Sequence, residues 1–457
     1  MKDRFGFQLT PGGPGFWQRP AYSRRVLFRH ASTALAGCFH LPLAAPILRG
    51  ETVTRAAVAA RNTARQCIFV LLEGGPSQID TFDLKEGAWT PKELQPTEFN
   101  GVKWPRGILP KLGDQLGSLA IVRSGRAWAA VHVLAQVWAQ IGRNPTAATS
   151  RIAPHIGSVV SLEKTTAEST LPGFVSMNAS SGIGNGWLAP AHAPFFTTPG
   201  GGGLTNSRHS LGADRFGRRY DLLLQLDADL RERDSLGAAP YQTQAFNLAA
   251  RQLIYNDKID DIFTFTADER ARYGSTTFGN CCIAARNMLR ARSGVRFIQI
   301  RQGGWDNHEN IWQPNAGHFA RARELDNGLG TLLADLGADG LLDETIVVAM
   351  GEFGRTTGNL NPQKGRDHLL QHSFLVAGAG VRGGRAIGST NAAGSATLDP
   401  GWSRQRDVRP EDVEATIYSA LGIDWTTVRR DDPTGRGFEY VPDAQKDKYG
   451  PIHELWD

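Results

Sequence analysis

Cys67-Ile-Phe-Val-Leu-Leu72, followed at once by Glu73-Gly-Gly-Pro76, is a short, wholly apolar run that ends on turn residues. A strand with one wet face alternates polar and apolar residues. A continuous run of six therefore reads as a strand covered on both faces, opening onto a loop at its carboxyl end. Similar runs recur at Leu119–Val122, Val295–Ile300, Thr345–Met350 and Ser373–Ala377. Helix-period patterns occupy 128–141, 217–235, 241–256, 277–292, 314–337 and 410–421, several of them between those runs. Strands alternating with helices predict an α/β fold with a mostly parallel sheet sandwiched by helices. A single such domain is expected over 60–440, with a helical insertion at about 205–275, where helical patterns dominate without clear strands. Active groups in sheets of this kind lie beyond the carboxyl ends of the strands.

The net charge of +5 on 457 residues would suggest acidic partners if it were spread over the chain. It is not. Lys2, Arg4, Arg19, Arg24, Arg25 and Arg29 against Asp3 place the whole excess within residues 1–37, so the body is balanced and offers no electrostatic case for nucleic acid. Residues 1–45 read as an export signal and leader. Ser23-Arg24-Arg25-Val26-Leu27-Phe28 is a twin-arginine pattern, followed by an apolar stretch through Leu35 and a small-residue zone. Leu35-Ala36-Gly37-Cys38 has the form of a lipoprotein box that would place a lipid anchor on Cys38, whereas cleavage near Ala44-Ala45 would leave none. An exported protein in the periplasm or cell envelope follows from either. No other segment has the 18 or more consecutive apolar residues of a membrane span. Cys67, Cys281 and Cys282 are expected to be buried free thiols, because adjacent cysteines point their side chains apart. Pro199-Gly-Gly-Gly-Gly203 is a loop rather than a phosphate cradle, since no strand precedes it and no Lys-Ser/Thr follows.

Three polar clusters stand where predicted strands end. They are Glu73-Gly-Gly-Pro-Ser77-Gln-Ile-Asp80-Thr-Phe-Asp83, Gly303-Gly-Trp-Asp306-Asn-His308-Glu309 and Gly351-Glu352-Phe-Gly-Arg355, and Gly365-Arg366-Asp367-His368 just precedes the last strand. Hard divalent cations take oxygen ligands, and zinc takes oxygen and nitrogen, so carboxylates and imidazoles gathered at one sheet edge suit zinc, calcium or magnesium. The candidate ligands are Asp80, Asp306, His308, Glu352, Asp367 and His368. Asp80, Asp83 and Glu73 also fit turn or helix-cap roles, and Glu352 a salt bridge with Arg355. Asp306 and His308 are harder to read that way, because an Asp-x-His pair beside two glycines and a tryptophan aims two ligand types from one loop.

The stretches Gly74-Gly-Pro-Ser-Gln-Ile-Asp-Thr-Phe-Asp83, Ile156-Gly-Ser-Val-Val160, Gly303-Gly-Trp-Asp-Asn-His308, Met350-Gly-Glu-Phe-Gly-Arg-Thr356, Gly365-Arg-Asp-His368 and Asp412–Gly422 resemble the domain-of-unknown-function 1501 family. That family is a sulfatase-like branch of the alkaline phosphatase superfamily, and the resemblance runs through most of the chain after the leader. It implies an alkaline-phosphatase-like fold and an ester hydrolase with one or two metals. One site would draw on Asp306, His308 and His368, with Glu352, Asp367 and Asp80 serving the other or shared. Arg355 would hold a non-bridging oxygen of a tetrahedral ester.

The chain departs from the superfamily pattern at the nucleophile. Ile141-Gly-Arg-Asn-Pro145 looks like the end of the helix that begins with a Ser or Cys nucleophile, but counting back lands on His132. His132 is left as metal ligand, general base or packing residue. Ser77 and Ser124 are fallback nucleophiles or structural hydroxyls, and a metal-activated water would need neither. Two functions remain: an exported metal-dependent hydrolase of phosphate or sulfate esters, small or polymer-borne, or a catalytically silent envelope protein that keeps the fold to bind other envelope proteins.

Overall fold

The computed structural model describes residues 59–457 apart from 148–149, 151, 167, 180–181, 229–246 and 248–249. The leader with its twin-arginine pattern and Cys38, and the parts of the helices expected at 217–235 and 241–256 that fall in 229–246 and 248–249, lie outside the described residues. The central sheet has eight strands: β1 (Gln66–Leu72), β2 (Leu119–Arg126), β3 (Phe174–Met177), β4 (Phe195–Thr197), β5 (Phe297–Gln302), β6 (Thr345–Gly351), β7 (Gln371–Ala377) and β8 (Arg385–Ile387). Their spatial order is β8-β2-β7-β6-β1-β5-β3-β4. All pairings are parallel except those of β7 with β2 and β6.

The protein is thus mixed α/β, with a mostly parallel sheet flanked by helices. The main described helices are α1 (His132–Ile141), α2 (Ile156–Lys164), α3 (Ala213–Leu226), α4 (Thr277–Arg290), α5 (Gly317–Leu325), α6 (Thr331–Ala338) and α7 (Pro410–Ala420), with a π-helical turn, Asp326–Gly330, between α5 and α6. β1 is buried along its whole length at the centre of the sheet. Alternate residues feed two cores: Ile68, Val70 and Leu72 pack with α4 to α6, while Cys67, Phe69 and Leu71 pack with α7 and the carboxyl-terminal segment. Cys67, Cys281 and Cys282 are free and buried, and burial pushes their thiols well above the usual range. Between β4 and α4 the described residues carry α3 and two short helices, Asp257–Ile262 and Ala267–Arg272, with Gly201 and Gly202 bridging Thr264. Among the described residues no helix is long and apolar enough to cross a membrane.

The direction of β7 matters most for function. Because it runs opposite to its neighbours, the residues before it lie at the same edge as the residues that follow β1, β5 and β6. Gly365–His368 is thereby delivered to the carboxyl edge from the other side.

Candidate metal centre

Two glycines allow the edge loops to close on one another. Gly74 has φ +107°, and a Cβ there would sit 2.4 Å from the Asp306 amide nitrogen. A Cβ on Gly365 would sit 1.9 Å from the His308 carbonyl carbon. Both are contacts that only glycine permits. The loops after β1 and β5 therefore touch backbone to backbone, as do the His308 and Gly365 segments.

The closure brings His132, Asp306, His308 and His368 together, with one potential ligand atom from each inside a group spanning no more than 4.8 Å. Asp306 Oδ1 is the hub, 3.1 Å from His132 Nε2, 3.0 Å from His308 Nε2 and 3.5 Å from His368 Nε2. His308 Nε2 and His368 Nε2 are 3.0 Å apart. Behind each imidazole stands an acceptor for Nδ1: Glu352 Oε1 at 2.7 Å from His132, Asp367 Oδ1 at 2.8 Å from His308, and the Ala130 carbonyl at 2.8 Å from His368. These acceptors fix the proton on Nδ1 and leave the Nε2 lone pairs facing inward.

This donor set fits a divalent ion. Two inward lone pairs at 3.0 Å repel unless a proton or cation lies between them, and His132 Nε2 is buried with no aligned hydrogen bond. A tetrahedral ion with bonds of about 2.0–2.1 Å separates its donor atoms by about 3.3 Å, close to the 3.0–3.5 Å between Asp306 Oδ1 and the three imidazole nitrogens. Three nitrogens and one carboxylate oxygen suit zinc better than calcium or magnesium, which take mainly oxygen.

The charges are arranged to match. Burial works to raise the Asp306 pKa, but the Arg355 hydrogen bond and charge, with His132 and His308, hold it down at about 2. The Glu352 hydrogen bond raises the His132 pKa. Burial lowers the His368 pKa, which favours the neutral ligand form. Phe353, fully buried, lies under His132 and His368 with ring centroids 4.8 Å and 4.6 Å away and walls the centre off on that side.

The remaining residues singled out from sequence take other positions. Glu352 and Asp367, expected as ligands, back His132 and His308 from the outside. Glu352 also accepts from the Gly74 amide at 2.9 Å and from Gln136 at 3.1 Å, while Asp367 accepts from Asn361 at 3.2 Å. Asp80 stands apart from the group: Arg366 donates to it at 2.6 Å and 3.3 Å, and Ser77 Oγ donates to it at 2.5 Å. Ser77 is 1% exposed and its hydroxyl is taken, which does not suit a nucleophile. Arg355, expected to hold a substrate oxygen, has all five N–H donors engaged within the protein: Nε on Gly75 O, Nη1 on Arg366 O and His308 Nε2, and Nη2 on Gly74 O and Asp306 Oδ1. Its guanidinium joins three loops and has no hydrogen left for a ligand.

Gln136 and Asn361 were not anticipated. Gln136 had a signal in its spacing, since it follows His132 by four and shares a helix face with it. Asn361 sits in a loop with no periodicity to mark it. Glu352→Gln keeps the shape of its side chain but weakens the acceptor behind His132. It is expected to lower divalent-metal affinity about 10–100-fold, read by chelator competition at fixed pH.

The fold and donor set define an α/β protein with a candidate metal centre at the carboxyl edge of its sheet. The family described as "Protein of unknown function (DUF1501)" matches residues 64–445, and the chain belongs to that family. No curated protein matches it. Among solved structures it is similar to the lipoteichoic acid synthase LtaP from Listeria monocytogenes, at 10% identity over 84% of this chain and 77% of that one, TM-score 0.37. A protein in the alkaline phosphatase superfamily from Vibrio parahaemolyticus is similar at 11% identity over 80% and 70%, TM-score 0.37. So is a putative sulfatase from Bacteroides thetaiotaomicron, at 11% identity over 80% and 72%, TM-score 0.37.

Proposed function

We propose that this protein is a metal-dependent hydrolase of phosphate or sulfate esters that works outside the cytoplasm. The observation that carries the reading is the convergence of His132, His308 and His368 Nε2 on Asp306, with an acceptor behind every Nδ1. When bound, a divalent ion supplies Lewis-acid stabilisation of charge on a tetrahedral ester and acidifies water. The chain's own part is to hold three imidazoles in one tautomer, to keep Asp306 ionised through Arg355, and to exclude water on the Phe353 side. Arg355 acts through Asp306 as a positioning residue. With Ser77 engaged by Asp80 and His132 among the ligands, the attacking group in this reading is water. Export rests on the twin-arginine pattern at Ser23–Phe28.

The silent alternative is favoured by one observation. Arg355 already neutralises Asp306 at 2.5 Å and reaches His308 at 3.3 Å, so the cluster has a cation of its own. Metal analysis of purified mature protein decides between the two. The enzyme reading expects about one tightly held divalent ion per chain, with aryl phosphatase or aryl sulfatase activity that chelation removes and the ion restores. A folded, metal-free protein that takes up no added zinc would sink it.

A further inference from the structure

α3 is held to the body by one face and carries apolar side chains on the other. Phe216 and the buried Tyr220 form the inner face: the Phe216 ring lies 6.0 Å from that of Tyr255, and Arg251 covers the Tyr220 ring at 4.6 Å. At about 3.6 residues per turn, the stripe facing away from them is Arg215, Arg218, Arg219, Leu222 and Leu226, and every one of these side chains is exposed. Leu222 is 54% exposed and Leu226 68%, with Leu223 beside them and Leu211 just before the helix also exposed. Four of the nine exposed large apolar side chains among the described residues therefore fall within residues 211–226. A helix packed through a single core-facing stripe carries polar residues on its outer side. Clustered leucines there mark a surface with a second partner.

The charges on the stripe say which partner. Arg215 and Arg218 have no hydrogen bond or ion pair among the described residues, and Arg219 donates only to His209 Nε2, at 3.2 Å. The acids of the helix stand to the side of the stripe: Asp214, and Asp221, which pairs with Arg251 at 3.8 Å. The outer face is thus cationic toward its amino-terminal end and apolar toward its carboxyl-terminal end, over a length of about 17 Å. A second copy of the chain would fit it poorly. In a two-fold contact the same patch meets itself, which would gather six guanidiniums in one interface with no carboxylate on the stripe to face them. An anionic lipid surface offers both halves at once: phosphate oxygens in the headgroup layer, and acyl chains just beneath. Arginine suits that boundary, because its methylenes lie along apolar surface while its head stays among the headgroups.

We propose that the outer face of α3 docks on an anionic membrane surface, with Leu222, Leu223 and Leu226 at the acyl boundary and Arg215, Arg218 and Arg219 among the lipid phosphates. One short helix of this kind gives reversible binding rather than permanent anchorage. The surface shares no residue with the centre around Asp306, so it stands or falls apart from the hydrolase reading.

The test follows this face in the full-length chain. Cys38→Ser removes any lipid attachment, and Cys67, Cys281 and Cys282 are buried, so a nitrobenzoxadiazole label on Gln225→Cys reports from α3 alone. Vesicles of phosphatidylcholine with about 30% phosphatidylglycerol are expected to move the label's emission to the blue, and phosphatidylcholine alone to do so only weakly. Arg215→Ser combined with Arg218→Ser is expected to weaken the binding about 30-fold. Leu222→Ser combined with Leu226→Ser is expected to weaken it about tenfold or more. All four side chains are exposed, so the fold does not depend on them. A label that stays in water when the anionic vesicles are added overturns the proposal, even if the leader carries the chain to them. So does an equal shift on uncharged vesicles that both paired variants leave unchanged. A blue shift without lipid that grows with protein concentration would put a second copy on this face and overturn it as well.

Discussion

Asp306→Asn is expected to lower divalent-metal affinity on the order of 10³-fold, beyond the 10–100-fold that follows loss of an outer hydrogen-bonding partner. Asp306 Oδ1 touches all three imidazoles, and its carboxylate is the one anion within the group of four. Asparagine keeps the volume and one acceptor oxygen for Arg355 but removes the charge that offsets the cation. The variant should stay folded, losing about 1–3 kcal/mol as the Arg355 hydrogen bond ceases to be charge-assisted. Elemental analysis after dialysis is expected to fall from about one ion per chain to a trace, with ester hydrolysis falling in parallel. A variant that still holds a full equivalent after dialysis would show that the ion, if any, sits elsewhere.

The centre of the sheet was legible because burial on both faces leaves an unmistakable mark. β1 and β6 carry continuous apolar runs and β5 a run broken by Gln299 and Arg301, and the ends of all three were placed to within two residues. The strands left out, β3, β4 and β8, are three or four residues long and lie toward the sheet edges, where so short a run is hard to tell from a loop. α1 was expected from residue 128 but begins at His132. Trp128 belongs instead to the loop that stacks on Trp138 and faces Glu411.

The candidate site was legible in its residue types and less so in its roles. Asp306, His308 and His368 could be singled out because they sit where strands end or begin. Nothing in the local sequence separates a carboxylate that faces the centre from one that faces a guanidinium. Arg366, Asp367 and His368 make the point in three consecutive residues: the first turns to Asp80, the second supports His308, and the third enters the centre. Which way each one points is settled by the antiparallel entry into β7 and the short strand pairing of His368 with Arg355, both of them long-range facts.

Asp80 offers the sharpest check on that division of labour. It and Arg366 are both essentially inaccessible, at 1% and 0% exposure, and the guanidinium meets the carboxylate with two N–H groups while also donating to the Thr356 and Gly358 carbonyls. Removing one member of a buried pair leaves the other charge without a partner or water, a loss of about 3–5 kcal/mol. Asp80→Ala is therefore expected to destabilise the fold by that amount in denaturant unfolding. The folded fraction is expected to keep its full metal equivalent, because no atom of Asp80 belongs to the group around Asp306. Asp80→Ala combined with Arg366→Met removes both charges and should recover part of the loss, and the size of that recovery measures the coupling between the two residues. The opposite pattern, stability unchanged and metal lost, would return Asp80 to the ligand role that its place after β1 suggests. It would also mean that the Arg366 contact gives way when a cation arrives.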